Sequence, residues 1–125
     1  MRTHTDLIVW QQADALGEEV FNFSRRCCIE QDRGMRNKLG MCAGAVAEEL
    51  AEGFDSGDRS QFRESLHRAK MWAMELSFHL RFVATMGCSP RSEVIEYLRR
   101  CDEVSRRIGR LQQKLGPGRE WSIED

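Results

Sequence analysis

The sequence predicts an all-α fold, an antiparallel up-down-up-down four-helix bundle, and three observations carry that prediction. Apolar residues recur at alternating spacings of three and four through four long segments, the period of helices that face a common core. Only two prolines occur among 125 residues and β-branched runs are scarce, so strands have little support. Short connections punctuated by glycines and capping residues separate the segments, and short loops force successive helices to lie antiparallel. The expected helices span 6–28, 33–54, 58–86 and 90–115, with a tail over 116–125, in a single domain covering 1–125. A chain of this length buries about two thirds of its unfolded surface on folding.

The first helix is expected to begin after Asp6, whose carboxylate can accept from the free N–H groups of the first turn. Its apolar set is Leu7, Trp10, Ala13, Leu16, Val20, Phe21 and Phe23, fading near Cys28, and Glu30 to Gly34 reads as the connection. The second helix carries Met35, Leu39, Cys42, Val46, Leu50 and Phe54, beside a line of small residues, Gly40, Ala43, Gly44, Ala47 and Ala51. A helix-interior glycine costs roughly 0.5–1 kcal/mol against alanine. Helix propensity alone therefore does not account for the two glycines, and a closely packed neighbouring helix does. Gly53 and the run Asp55-Ser56-Gly57-Asp58 read as the end of this helix.

Asp58 followed by Gln61 resembles a capping box for the third helix. Its seam runs Phe62, Leu66, Ala69, Ala73, Leu76, Leu80 and Val83. At roughly 100° per residue, Met71, Met74, Phe78 and Phe82 fall on the far side. Two apolar faces on one helix need two partners, and a monomer supplies one. The second stripe is therefore expected to form an interface between copies of the chain. Gly87 suits the left-handed residue past a helix end, and Ser89 with Pro90 reads as an N-cap and first-turn proline for the fourth helix. That helix keeps Val94, Leu98, Cys101, Val104 (flanked by Ser105), Ile108, Leu111 and Leu115, until Gly116-Pro117-Gly118 stops it. The tail, with Trp121, either docks or stays mobile.

Charged residues make up 31% and hydrophobic ones 41%, the balance of an ordinary globular domain. A formal charge of −1 provides no global attraction to nucleic acid or anionic lipid, so such binding needs a local patch. Five cysteines are an odd number, Cys27 and Cys28 are adjacent, and no paired C-x-x-C occurs. Neither a zinc site nor a disulfide framework is indicated. Cys42 and Cys101 lie on apolar faces as small hydrophobes, and reduced thiols point to the cytoplasm. No segment approaches the ~20 apolar residues of a membrane span, and the start, Met1 to Asp6, lacks a signal peptide's apolar stretch.

Glu64-Ser65-Leu66-His67 is an E-x-x-H. Di-iron bundles use two such motifs plus further glutamates, all pointing inward. Here one motif occurs, and it falls away from the Phe62–Leu80 seam, so it is expected to be solvated or interfacial. Glu75 and His79 are four apart, which permits a hydrogen bond but not the three or four ligands of zinc. His4 has no partner visible in the sequence. No nucleophile elbow or Gly-rich phosphate loop is present. No catalytic residue, metal or cofactor is called for, and a non-enzyme is expected.

Arg99, Arg100, Arg106, Arg107, Arg110 and Lys114 crowd the fourth helix, with Asp102 and Glu103 among them. They read either as a solvated face favourable to the helix dipole or as a phosphate-contacting strip.

Three segments together carry a family resemblance: Asp6-Leu7-Ile8-Val9-Trp10-Gln11-Gln12-Ala13, Leu50-Ala51-Glu52-Gly53-Phe54, and Ser60-Gln61-Phe62. In that order they resemble the bacterial four-helix-bundle proteins first noticed in intervening sequences of 23S ribosomal RNA genes. The accessory protein of diversity-generating retroelements is similar to the same group. The resemblance spans about residues 6–115. It implies an antiparallel bundle assembled as a ring of five protomers, in most members without an established activity. In the retroelement case it implies binding to nucleic acid and a reverse transcriptase through a basic exterior. Gly40 and Met41 stand where the family often has arginines, Ala47 replaces a proline, Glu49 an asparagine and Ser56 an arginine. Within the motif, Trp10 and Phe54 are expected to be packing anchors. Glu52, beside Ala51 and Gly53, is expected to pin a subunit boundary, for example against Arg59 or Arg63.

Overall fold

A computed structural model describes residues 3–26, 29, 32–87 and 89–116. The adjacent Cys27 and Cys28, and the tail beyond Gly116 with Trp121, lie outside the described residues. After a short 3-10 turn at His4–Asp6 come four helices: α1 (Ile8–Ser24), α2 (Arg33–Asp55), α3 (Arg59–Ala84) and α4 (Arg91–Leu115). The described residues are all-α, with no strand. α2 packs against α1 and α3, and α4 against α3 and more loosely α1, so α1 and α3 stand at opposite corners.

The helix bounds follow from local chemistry. The Asp32 carboxylate accepts from the Met35 N–H at 3.0 Å and Asp58 accepts from the Gln61 N–H at 3.0 Å, each satisfying a donor that a helix start leaves free. Beyond α3, Gly87 turns the chain with φ of 69°, a conformation that costs glycine nothing. Two expected caps differ. Asp6 does not open α1: its carboxylate accepts from the Thr3 N–H at 3.3 Å and closes the 3-10 turn, leaving Leu7 at the N-cap without a side-chain bond. Pro90, not Ser89, holds the N-cap of α4, also without a side-chain bond.

Apolar side chains fill two clusters stacked along the bundle. Leu7, Val9 and Ala13 of the chain's start meet Leu50 and Phe54 of α2, Phe62 and Leu66 of α3, and Ile108 and Leu111 of α4. Leu16, Val20 and Phe23 meet Leu39, Cys42, Leu76, Leu80, Val83, Val94 and Cys101. Trp72, partly buried, packs against both. All seven seam residues predicted for α3 are buried. Phe21 is not: Val20 and Phe23 already fill that turn, and Phe21 turns outward, exposed. Val9 and Tyr97 take core places instead. The Tyr97 ring meets Phe23 edge-on at 5.2 Å, while its hydroxyl reaches the Glu93 carboxylate at 3.2 Å.

Close helix approach occurs, but not at the glycines expected. A Cβ on Gly44 would meet nothing within 4 Å. On Gly17 it would lie 2.2 Å from the Ala43 carbonyl oxygen, so α1 rests on the α2 backbone there. Gly53 does not end α2, which continues to Asp55. A Cβ at Gly53 would lie 2.4 Å from the Ser65 Cβ, and that contact lets α2 and α3 close together.

Candidate functional site

The outer face of α3 is the principal exposed apolar surface. Met71, Met74, Phe78 and Phe82 are 55%, 57%, 69% and 55% exposed, on the helix side opposite the Phe62–Val83 seam. Large side chains so exposed on one contiguous stripe mark an interaction surface more often than scattered ones do. Arg81 sits on one flank of the stripe and Glu75 on the other, both exposed. The Phe78 and His79 rings meet edge-on at 6.2 Å. His79 therefore leans on the stripe.

On α4 the cations are drawn into ion pairs. Arg99 donates to both Glu96 carboxylate oxygens, at 3.1 and 2.8 Å, and to Glu103 at 3.1 Å. The hydrogen bond from Arg99 holds the Glu96 carboxyl below its ordinary pKa. Arg100 pairs with Glu19 of α1 at 2.6 Å and Arg106 with Asp102 at 2.7 Å. Arg107 is half-buried, whereas Arg110 and Lys114 are exposed. At least three of the six candidate phosphate contacts, Arg99, Arg100 and Arg106, are thus already matched by carboxylates, which locally cancels the field a polyanion would sense. Between α1 and α4 lies a cleft of about 280 Å³ lined by Gln11, Gln12, Arg99, Arg100 and Glu103.

The E-x-x-H pair faces solvent, since Glu64 and His67 are both exposed. Glu64 lies 3.9 Å from Arg68, whose main partner is Glu49 at 2.6 Å. Among the described residues, no group of three or more His, Cys, Asp and Glu side chains is placed to hold a metal ion. Nor is any helix there long and apolar enough to cross a membrane. Cys42 and Cys101 are free and buried. Burial pushes the Cys42 thiol up to about 11 and Cys101 up to about 12, so neither is poised as a nucleophile at neutral pH.

The motif residues differ in burial. Phe54 is buried and meets Phe62 edge-on at 5.7 Å. Ala51 is half-buried and Gly53 buried against Ser65. Trp10 packs on the first cluster, with the His4 ring edge-on to it at 4.7 Å. Glu52 is exposed, its backbone carbonyl accepts from the Ser56 N–H, and its carboxylate has no hydrogen-bond partner among the described residues. Within the chain, Arg59 donates to the Leu115 carbonyl and Arg63 to the Gly116 carbonyl, holding the last turn of α4.

His4 is the residue that sequence reading missed. Its Nδ1 lies 2.6 Å from Asp55 Oδ2, and its backbone N–H donates to Asp55 Oδ1 at 2.9 Å. That clamp ties the start of the chain to the end of α2. The shared acidity of the Asp55–Asp58 run was visible, but a partner 51 residues away was not.

The family model of 23S rRNA-intervening sequence proteins matches residues 5–110. No curated protein and no solved structure matches the chain.

Proposed function

The chain belongs to the family of 23S rRNA-intervening sequence proteins, and on that premise we propose that it is a non-enzymatic scaffold or accessory binding protein, assembled from copies of itself. In this reading the helices run alternately up and down. Contacts between helix ends support that order: His4 meets Asp55, Arg26 meets Glu93 at 2.6 Å, and Arg59 meets Leu115. The assembly is a ring of five protomers in the cytoplasm, where thiols such as Cys42 and Cys101 stay reduced.

The observation that carries the proposal is the exposed stripe on α3. Covering the remaining area of Met71, Met74, Phe78 and Phe82 contributes on the order of 1 kcal/mol each. Association costs about 4–15 kcal/mol in lost freedom. The stripe alone does not outweigh that cost, so a stable oligomer must bury more surface with it. Native mass spectrometry and sedimentation at several concentrations test the reading. The expected result is a particle of five 14.5 kDa chains. A well-folded 14.5 kDa particle persisting at high concentration overturns it.

A second reading is nucleic-acid binding by α4, alone or beside a reverse transcriptase. The exposed Arg110 and Lys114 near the helix end favour it, and the ion pairs of Arg99, Arg100 and Arg106 weigh against it. A gel-shift titration at several salt concentrations separates the two. Phosphate contacts make affinity fall steeply with salt, and no shift at low salt removes the reading.

A further inference from the structure

We propose that the α3 stripe of one copy seats in the groove between α1 and α2 of the next, so that the interface joins two different surfaces. This rests on the self-assembly reading above and specifies its geometry. The groove is open, about 370 Å³, and its floor is made of small residues, Gly40, Gly44 and Ala47 of α2. Phe21 stands at one end, its ring over Gly40, and Asp14 and Glu18 line the α1 rim. Gly44, where a Cβ would meet nothing within 4 Å, and Gly40, where it would only touch the Phe21 ring at 3.8 Å, thus gain a role. They leave room for a ridge of Met and Phe side chains from outside.

Height along the bundle agrees. One small apolar void is lined by Leu16, Gly17, Ala43, Val46, Ala73 and Leu76. The α3 turns that carry Met71, Met74 and Phe78 on their outer side are therefore level with the groove. Two copies pointing the same way can meet without sliding along the axis. Charge agrees as well: the rim carboxylates of Asp14 and Glu18 face the flank of the stripe that bears Arg81. Because α1 and α3 stand at opposite corners, ridge and groove lie on different sides of one chain. Every copy then offers one ridge and one groove, and such head-to-tail contacts close into rings when the rotation allows.

Mixing variants tests this directly. Met74→Asp with Phe78→Asp disables the ridge. Gly44→Trp fills the groove at a position where a Cβ meets nothing within 4 Å, so the fold tolerates it. Each variant alone is expected to retain its circular-dichroism helix signal and run as a 14.5 kDa monomer. Mixed, the free groove of the first takes the free ridge of the second, and native mass spectrometry shows a dimer of twice that mass and nothing larger. If Gly44→Trp assembles like the unmodified chain, or the mixture stays monomeric, the ridge-in-groove interface is wrong while self-assembly still stands. If the unmodified chain is itself monomeric, the self-assembly reading fails instead. A charge swap provides a second measurement independent of bulk. Asp14→Lys with Glu18→Lys is expected to weaken assembly at least tenfold, and Arg81→Glu in the same chain to restore part of it. Absence of that restoration counts against the pairing.

Discussion

Replacing Gly53 with alanine sets two physical effects against each other, and the structure decides the sign. In a helix interior, Gly→Ala is normally stabilising by about 0.5–1 kcal/mol. At Gly53 the new methyl would lie 2.4 Å from Ser65 Cβ and 2.6 Å from its Oγ, with the Phe62 ring at 3.2 Å. Ser65 Cβ is fixed to the α3 backbone, so relief requires α2 and α3 to move apart. Overpacking of that kind costs about 1–3 kcal/mol, and the rigidity of the obstacle favours the upper part of the range. The net expectation is a loss of about 2 kcal/mol. Gly109→Ala is the control, because its nearest neighbour is the mobile end of Lys70 at 3.9 Å. It should gain about 0.5–1 kcal/mol. Urea unfolding followed by circular dichroism measures both, at one fixed protein concentration because assembly shifts apparent stability. With a slope of roughly 1–3 kcal/mol per molar urea, Gly53→Ala should lower the midpoint by about 1 M. Ser65→Gly in the same chain removes both obstructing atoms and should recover part of the loss beyond additivity. A Gly53→Ala chain more stable than the parent would refute the close-approach argument outright.

Other expectations concern the core, the clamp and the thiols. Leu76→Ala removes a buried side chain beside the internal void and should cost about 2–5 kcal/mol in the same urea assay; a loss below about 1 kcal/mol would mean the site is not packed as described. His4→Ala breaks a partly exposed pair with Asp55 and should cost no more than about 1 kcal/mol. Its clearer effect is local, in faster amide exchange over residues 4–10, and unchanged exchange there would show that the clamp does not hold. Burial keeps the Cys42 and Cys101 thiols neutral up to about 11 and about 12, against an ordinary 9.0. The unfolded chain therefore releases these protons first as pH rises. Their contribution to stability is complete below pH 9 and is lost between pH 9 and 12. A Cys42→Ala, Cys101→Ala chain should lose less stability across that window than the parent, and parallel curves would contradict the burial.

The α3 seam and both of its faces were legible because helical periodicity depends only on spacing. Gly53 was misread because the same residue type marks a helix end and a tight crossing, and only the position of Ser65 distinguishes them. Gly17 went unnoticed for the converse reason: what makes it necessary is the Ala43 carbonyl on another helix. Among the arginines, the local partner Asp102 was visible four residues from Arg106, whereas the Arg100–Glu19 pair needs α1 and α4 to be adjacent. Nothing in spacing reveals that, within one chain, Arg59 and Arg63 turn toward the end of α4.

Among the described residues, Trp72 is a partly buried indole that packs against both halves of the interior. A rod of this kind can fray from either tip, and whether the opposite tip notices depends on what crosses the middle. Trp72 and the side chains around the mid-bundle void, Ala13, Val46 and Ala73 from one half with Leu16, Ala43 and Leu76 from the other, carry loosening of one half to the other. A smaller side chain at position 72 weakens that coupling and lets the two tips open more independently.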